Sequence, residues 1–141
     1  HKKLVEMIER GEQLPFDLQG ASIYYVGPTP ARDHQVIGSA GPTTSSRMDP
    51  YVPLLAENGL KGMIGKGRRS KEVIDAVRKH QMVYFVCTGG AGALLSHCIT
   101  SRQVIAFPEL LAEAVARIEV KDFPCFVGLD IHGNDIYDME D

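Results

Sequence analysis

The sequence predicts one α/β domain built on a mixed β-sheet. Three observations lead to this prediction: the length of 141 residues, a repeated order of short apolar strand, glycine turn and helix, and a hairpin signal near the end. A chain of this length forms one ordinary domain and is too short for two. We therefore expect residues 1–141 to form a single domain with no linker or repeat inside it.

The first half of the chain predicts a helix, a strand, a helix and a second strand. Apolar residues at positions 4, 5 and 8 recur at helical spacing before Gly11, which indicates a short amphipathic helix. Residues 22–26 and 60–64 are rich in apolar and β-forming side chains, which favours strands. Between them, the glycine-rich loop 38–49 leads into a helix that ends at Asn58 and Gly59.

The second half continues the same alternation and then changes. Ser70 before an amphipathic stretch predicts a helix over 70–80, followed by a buried strand over 82–87. A helix over 93–98, a strand over 103–107 and a helix over 109–117 are expected next. Residues 126–129 and 136–137 flank a turn at 132–134, which predicts a closing antiparallel hairpin.

Charge and hydropathy exclude several classes of partner. The composition is 44% hydrophobic and 23% charged, with a formal net charge of −3, so the chain has no broad positive field for nucleic acid or an anionic membrane. No apolar run approaches the roughly 20 residues that cross a bilayer. We expect a soluble protein with neither a nucleic acid nor a membrane as its partner.

The cysteines predict neither a disulfide framework nor a metal site. Cys87, Cys98 and Cys125 are an odd number, far apart, without a C-x-x-C motif or a histidine at zinc-ligand spacing. Each has apolar neighbours, which is typical of small buried side chains in a reducing compartment. The sequence therefore predicts a cytoplasmic protein in which this chain supplies no metal ligand.

One glycine-rich loop combines hydroxyl groups with a cation. Residues 43–46 are Thr-Thr-Ser-Ser and precede Arg47 at a predicted helix start. Hydroxyls can bind a carboxylate or take part in proton transfer, and a guanidinium binds a carboxylate through two hydrogen bonds. Taken alone, the same run is more often a helix cap beside a surface arginine.

A second turn concentrates positive charge. Lys66, Arg68 and Arg69 lie within four residues of a glycine turn, which suits a carboxylate or a phosphate, although such a turn is more often a solvated basic corner. A P-loop is excluded, because Leu60 and Gly67 stand where that motif needs glycine and a hydroxyl residue. The third turn, at residues 89–92, lacks the last glycine of a dinucleotide fingerprint, so we expect close helix–strand packing there.

Longer runs carry a family resemblance. They are IYYVGPTPAR (23–32), IGSAGPTTSSRMD (37–49), GLKGMIGKGRRS (59–70), FVCTGGAGALL (85–95), IEVKDFP (118–124) and GND (133–135). Together they resemble the C-terminal domain, or separate β subunit, of the iron–sulfur (class I) fumarate hydratases and L-tartrate dehydratases. The resemblance covers nearly the whole chain and implies a swivelling β/β/α fold.

The resemblance also implies an activity and its residues. It implies the β subunit of a hydro-lyase of the tricarboxylic acid cycle that interconverts fumarate and L-malate, in a hetero-oligomer with an α subunit that binds a 4Fe-4S cluster. Thr43 is then the candidate base, while Arg47 and Lys66 bind the carboxylates of the substrate. Thr44 offers the same hydroxyl beside Thr43 and is a further candidate substrate contact.

Two alternatives stay open at the level of sequence. Arg69 and Ser70 after the GKG turn resemble the fumarase branch, but an L-tartrate dehydratase β subunit shares the other runs. A non-catalytic module that binds carboxylate or phosphate would use the same glycine turns and cations. The family also has an R-D-x-A-H motif, of which only the histidine corresponds here, to His1, so we expect the natural chain to continue upstream.

Overall fold

The strands form two sheets in the computed structural model, which describes residues 1–139. They are β1 (Ser22–Tyr24), β2 (Gly62–Gly65), β3 (Val83–Val86), β4 (Ile99–Ala106), β5 (Val115–Val120) and β6 (Phe126–Leu129). The larger sheet has the order β1-β2-β3-β6, in which the first three strands are parallel and β6 is antiparallel to β3. This confirms the predicted α/β class with a mixed sheet.

The helices are short, and most lie where the sequence predicts them. They are α1 (Lys2–Glu9), α2 (Val52–Glu57), α3 (Lys71–Lys79) and α4 (Gly92–His97), with 3₁₀ helices at Ser45–Tyr51, Pro108–Glu113 and Ile136–Asp138. Ser70 caps α3 as expected, since its Oγ accepts a hydrogen bond from Val73 N at 3.3 Å. Within residues 1–139, no helix has the length and apolar character needed to cross a bilayer.

The core lies between the larger sheet and helices α2 and α3. Leu55 of α2, Met63 of β2, Val77 of α3 and Tyr84 of β3 are all fully buried there. Val73, Ala76 and Val77 lie on one face of α3, at the spacing that turns a helix stripe toward a sheet. This packing and the strand pairing set the positions from which the loops leave the carboxyl ends of the parallel strands.

The helix predicted over 109–117 is wrong. A 3₁₀ helix ends at Glu113, and residues 115–120 form β5, which pairs with β4 as an antiparallel ribbon. Positive φ angles of 53° at Phe107 and 54° at Leu111 interrupt the helical backbone. The β-branched residues Val115, Ile118 and Val120 favour the strand once β4, which is longer than predicted, offers a partner.

The predicted closing hairpin also differs from the structure. Strand β6 forms where expected, but its ladder partner is β3. Across the turn at 132–134 the pairing is a bridge between Leu129 and Asp135, after which residues 136–138 form a 3₁₀ helix. Asp130 holds this turn by accepting hydrogen bonds from His132 N and from both nitrogens of Asn134. An Asx turn therefore replaces the second strand.

Candidate functional site

The predicted site residues meet at the edge where the parallel strands end. Strand β2 runs directly into Lys66, and β1 runs into Tyr25. The segment 42–45 crosses this edge, with Pro42 bridged to Val26 and Thr44 bridged to Lys66. The carboxyl edge of a parallel sheet is the usual place for ligand sites in α/β proteins. The topology thus brings the loop of residues 38–49 to the turn of residues 65–67.

Thr43 is anchored twice to the chain that follows β1. Its backbone N donates to Tyr25 O at 2.8 Å, and its Oγ1 donates to the same oxygen at 3.2 Å. The side chain is half-buried. Because the hydroxyl proton is directed at a carbonyl oxygen, the lone pairs of Oγ1 are left to accept a proton or a hydrogen bond.

A basic groove adjoins Thr43 and Arg47. It has a volume of about 900 Å³ and lies between β1, α1 and the β4–β5 ribbon. Its lining includes apolar side chains of β1, β4 and β5, two acidic residues and five basic ones; the charged residues are Asp17, Glu113, Lys2, Lys3, Arg47, Arg102 and Arg117. Arg47 is exposed, and its guanidinium has no acidic partner within residues 1–139. The groove therefore suits an anion with an apolar carbon skeleton.

Lys66 and Thr44 lie beside this groove but outside its lining. Thr44 and Lys66 are bridged as parallel neighbours, so their side chains project to the same side. Thr43 directly precedes Thr44 in this extended segment, so its side chain projects to the opposite side. Lys66 extends toward the loop after β3, where a Cβ placed on Gly89 would lie 3.8 Å from its Nζ. The structure thus gathers the four predicted residues at one edge but divides them between the groove and the Gly89 loop.

A buried hydrogen-bond chain joins the two loops that carry these residues. Ser45 N donates to Lys66 O at 3.0 Å, and Lys66 N donates to Ser45 Oγ at 3.0 Å. The Tyr84 hydroxyl lies 2.9 Å from both Ser45 Oγ and Gly67 O. Since a carbonyl only accepts, Tyr84 donates its one proton to Gly67 O, and the Ser45 hydroxyl donates to Tyr84.

A buried ion pair joins the end of the loop of residues 38–49 to the residues that follow the turn at 65–67. Asp49 accepts from Arg69 Nε at 2.7 Å through one carboxylate oxygen and from Ser70 N at 2.7 Å through the other. The Arg69 side chain is fully buried, with its guanidinium 5.3 Å from the Tyr25 ring centre and 4.6 Å from that of Tyr84. Arg69 therefore stabilises the fold and is unavailable to an external anion.

The expectation of three anion-binding cations on the turn is corrected accordingly. Arg68 pairs with Asp138 and also donates to Tyr137 O at 2.6 Å, and Arg69 is buried with Asp49. Within the described residues, Lys66 is the cation of this turn without an acidic partner. Local sequence could not separate the three, because their partners lie 20 to 70 residues away.

The glycines at this edge explain the close approach of its loops. A Cβ on Gly92 would lie 2.2 Å from Ser39 Oγ, so α4 packs directly on the loop of residues 38–49. The close helix–strand packing expected for the glycines at 89–92 is wrong in two respects: Gly92 packs on a loop, and a Cβ on Gly90 would have nothing within 4 Å. Gly90 instead has a φ of 77°, which favours glycine. A Cβ on Gly65 would lie 2.0 Å from Ser45 Oγ, so β2 can accept that hydroxyl only with glycine at this position.

Comparison with known proteins decides the family. Residues 1–140 match the family model described as "Fumarase C-terminus". The chain belongs to this fumarase C-terminal family. The match extends over the β4–β5 ribbon and the groove as well as the larger sheet, so the whole described fold falls within the family domain.

Relatives of this fumarase C-terminal chain are named as hydratases and a dehydratase. It is 45% identical over 139 residues to "Fumarate hydratase 2" of Leishmania major, covering 97% of this chain and 24% of the relative. It is 43% identical to "Fumarate hydratase class I, aerobic" of Escherichia coli, covering 97% and 25%. It is 37% identical to a "Putative L(+)-tartrate dehydratase subunit beta" of Methanocaldococcus jannaschii, covering 98% and 74%. The chain thus spans about a quarter of the length of these fumarate hydratases.

The cysteines of this chain do not fit an iron–sulfur cluster. Cluster ligands are thiolates that converge on the same irons. Here Cys87 Sγ contacts Pro124 O at 3.7 Å, and Cys98 Sγ contacts Asp122 O at 3.6 Å. Burial raises the pKa of the Cys87 thiol to about 11 and also raises the pKa of Cys125. Within residues 1–139, the His, Cys, Asp and Glu side chains form no cluster of three that could hold a metal ion.

Proposed function

We propose that this chain is the β subunit, or β-like domain, of an iron–sulfur hydro-lyase that interconverts fumarate and L-malate. The observation that carries the proposal is the placement of Thr43 beside Arg47 on a basic groove at the carboxyl edge of the sheet. Fumarate hydratases among the relatives supply the reaction class. The chain provides the residues that bind carboxylates and move a proton.

Arg47 is the proposed anchor for one substrate carboxylate. Its guanidinium lines the groove and has no acidic partner within residues 1–139, so its five N–H donors are available. A planar fork matches a carboxylate through two parallel hydrogen bonds. The neighbouring Arg102 and Arg117 add positive charge that attracts a dianion into the same groove.

Thr43 is the proposed base at the substrate carbon. A free hydroxyl is a weak base at neutral pH and becomes effective only when positive charge or desolvation favours its alkoxide. The contact with Tyr25 O holds the hydroxyl as a neutral donor, so the alkoxide forms only when that proton passes to a water molecule in the groove, and the alkoxide then takes the proton from the substrate carbon. The charges of Arg47 and Lys66 stabilise both that alkoxide and the negative charge that develops on the adjacent carboxylate.

Lys66 and Thr44 are the proposed contacts for the second carboxylate. Thr44 is bridged to Lys66 and lies outside the groove lining, and Lys66 extends toward the loop of Gly89. A dicarboxylate that spans this segment would therefore meet Arg47 at one end and Lys66 at the other. This placement requires the substrate to lie across the Thr43–Thr44 backbone, which puts its central carbons beside a hydroxyl group.

We further propose that a cluster-bearing α partner completes the site. The described cysteines do not fit a 4Fe-4S cluster, and the chain spans about a quarter of the fumarate hydratases that it resembles. A relative named as a separate β subunit is covered to 74% of its length. These observations support a division in which the partner holds the metal and this chain binds the dicarboxylate, in a cytoplasmic hetero-oligomer.

The β subunit of an L-tartrate dehydratase is the second candidate, favoured by that same relative. The experiment that separates the two is a steady-state assay of this chain assembled with its cluster-bearing partner, on L-malate and on L-tartrate. We expect the larger kcat/KM on L-malate. A larger value on tartrate would replace the proposed substrate with the second one.

A stand-alone carboxylate- or phosphate-binding module is the alternative from a different class. It is distinguished by calorimetric titration of the isolated chain with L-malate and with inorganic phosphate. If the site is shared with a partner, the isolated chain should bind both anions weakly. Tight binding by the isolated chain, together with no turnover in the assembly, would favour the module.

A further inference from the structure

A buried hydrogen-bond chain lies beneath the site, and the proposed roles of Thr43, Arg47 and Lys66 assign it no function. It runs from Lys66 N to Ser45 Oγ, then to the Tyr84 hydroxyl and on to Gly67 O. Ser45 stands two residues after Thr43 and two before Arg47. The first bond joins the loop that carries the proposed base directly to the turn that carries Lys66. The other two bonds join the same loop and turn through Tyr84 of β3.

The position of the Tyr84 ring is set by packing on both sides. Tyr84 belongs to β3 and is fully buried, with the Arg69 guanidinium 4.6 Å from its ring centre. On the neighbouring strand, a Cβ on Gly128 would lie 3.2 Å from the ring, so a larger side chain there would displace it. The hydroxyl is thus presented at one place, between Ser45 and Gly67.

Ser45 is held as tightly as Tyr84. It is fully buried, and its backbone and side chain both bond to Lys66, at 3.0 Å each. The absence of a side chain on Gly65 makes room for its Oγ, which a Cβ would approach to 2.0 Å. Burial also raises the pKa of the Tyr84 phenol to about 12, so it remains a proton donor at neutral pH.

We infer that Tyr84 is a positioning residue that acts through Ser45 to fix Lys66 relative to Thr43 and Arg47. The inference rests on the proposed function, because it assigns these two buried residues to the same reaction. A displacement of about 1 Å between reacting groups can cost on the order of a hundredfold in rate. Ser45 Oγ is the side-chain contact nearest to Thr43 and Arg47 between the loop and the turn, and Tyr84 fixes its position.

The test is a double-mutant cycle in the enzyme assembled with its cluster-bearing partner. Tyr84→Phe removes one hydroxyl from the chain, and Ser45→Ala removes its centre. We expect each variant to lower kcat by about tenfold or more while KM for L-malate changes by less than about threefold. Because both act through one contact, the double variant should be no slower than the slower single variant.

Val77→Ala is the control for a loss of stability alone, since Val77 is fully buried in α3 and has no part in the site. It should lower the melting temperature and leave kcat within about twofold of the wild type. The inference would be overturned if the losses of kcat in the two single variants add up in the double variant. It would also be overturned if the kcat of Tyr84→Phe stays within about twofold of the wild type.

Hydrogen exchange at the amides of Ser45 and Lys66 distinguishes this inference from the proposed function. Ser45 N donates to Lys66 O, and Lys66 N donates to Ser45 Oγ. Tyr84→Phe should therefore speed the hydrogen exchange of both amides by about tenfold or more. Val77→Ala should not speed the exchange of these two amides more than that of the other amides. If Tyr84→Phe speeds the exchange but the assembled wild-type enzyme does not turn over L-malate, the proposed function is contradicted and the coupling of the loops is still supported. Unchanged exchange would contradict the coupling itself.

Discussion

Arg47 is the single residue on which the proposed binding of a substrate carboxylate depends most. Arg47 lines the groove without an acidic partner among residues 1–139. The strength with which it would bind a substrate carboxylate depends on the bidentate shape of its guanidinium. Arg47→Lys keeps the charge and loses the fork. We expect kcat/KM on L-malate in the assembled enzyme to fall by roughly 10- to 150-fold, or about 1.5 to 3 kcal/mol.

The matched control is Arg78→Lys, an exposed arginine in the last turn of α3. It should leave kcat/KM unchanged. If Arg47→Lys also leaves it unchanged, Arg47 is a surface residue and the groove does not bind the substrate through it.

Thr43 is the proposed base, and substitutions at Thr43 and at Thr44 test which of the two threonines has that role. Thr43→Val keeps the shape and removes the hydroxyl that donates to Tyr25 O, whereas Thr43→Ser keeps a hydroxyl. If Thr43 is the base, Val should lower kcat by about a hundredfold or more, and Ser should retain measurable turnover. Steady-state kinetics of both variants and of Thr44→Val decide between the two threonines. A Thr43→Val enzyme with wild-type kcat would remove Thr43 from the mechanism.

At the scale of elements, Asp49 ties the 3₁₀ helix Ser45–Tyr51 to the start of α3. Its carboxylate binds Arg69 and Ser70 N at once, and the pair is almost fully buried. Asp49→Ala leaves the Arg69 charge buried without its partner, so the free energy of unfolding should fall by about 3 to 5 kcal/mol. Urea denaturation of the isolated chain measures this loss.

Asp75→Ala is the control, because Asp75 is an exposed residue of α3. It should change the free energy of unfolding by less than about 0.5 kcal/mol. A loss of that small size for Asp49→Ala would show that the ion pair does not stabilise the junction of the two helices.

The elements differ in how far local sequence determines them. Helix α3 is predictable because its cap, its apolar stripe and its length all agree. Residues 109–117 are not, since the choice between helix and strand depends on β4 as a partner and on left-handed backbone at Phe107 and Leu111. Residue type alone marks the hydroxyl loop and the basic turn as candidate anion sites, and the family resemblance singles out Lys66 within that turn. Their supports, Ser45, Asp49 and Tyr84, become visible only through contacts between distant segments.

At the scale of the whole molecule, the chain combines a basic groove with the absence of any group of three potential metal ligands among residues 1–139. Cys87 and Cys98 contact backbone carbonyl oxygens, and burial raises the pKa of Cys87 and of Cys125, which disfavours the thiolates that iron requires. We expect the purified chain to contain no stoichiometric iron or sulfide after anaerobic reconstitution. A 4Fe-4S cluster held by the chain alone would contradict the division of labour between the two subunits.

The central claim is that this chain and a cluster-bearing partner together form one active site, and a mixing experiment tests it most directly. The rate of fumarate formation from L-malate is followed for this chain alone, for its cluster-bearing partner alone and for the two mixed anaerobically. Neither component should turn over, and the mixture should reach a rate that saturates as this chain is added. Full turnover by the partner without this chain would contradict the claim that Thr43, Arg47 and Lys66 belong to the active site.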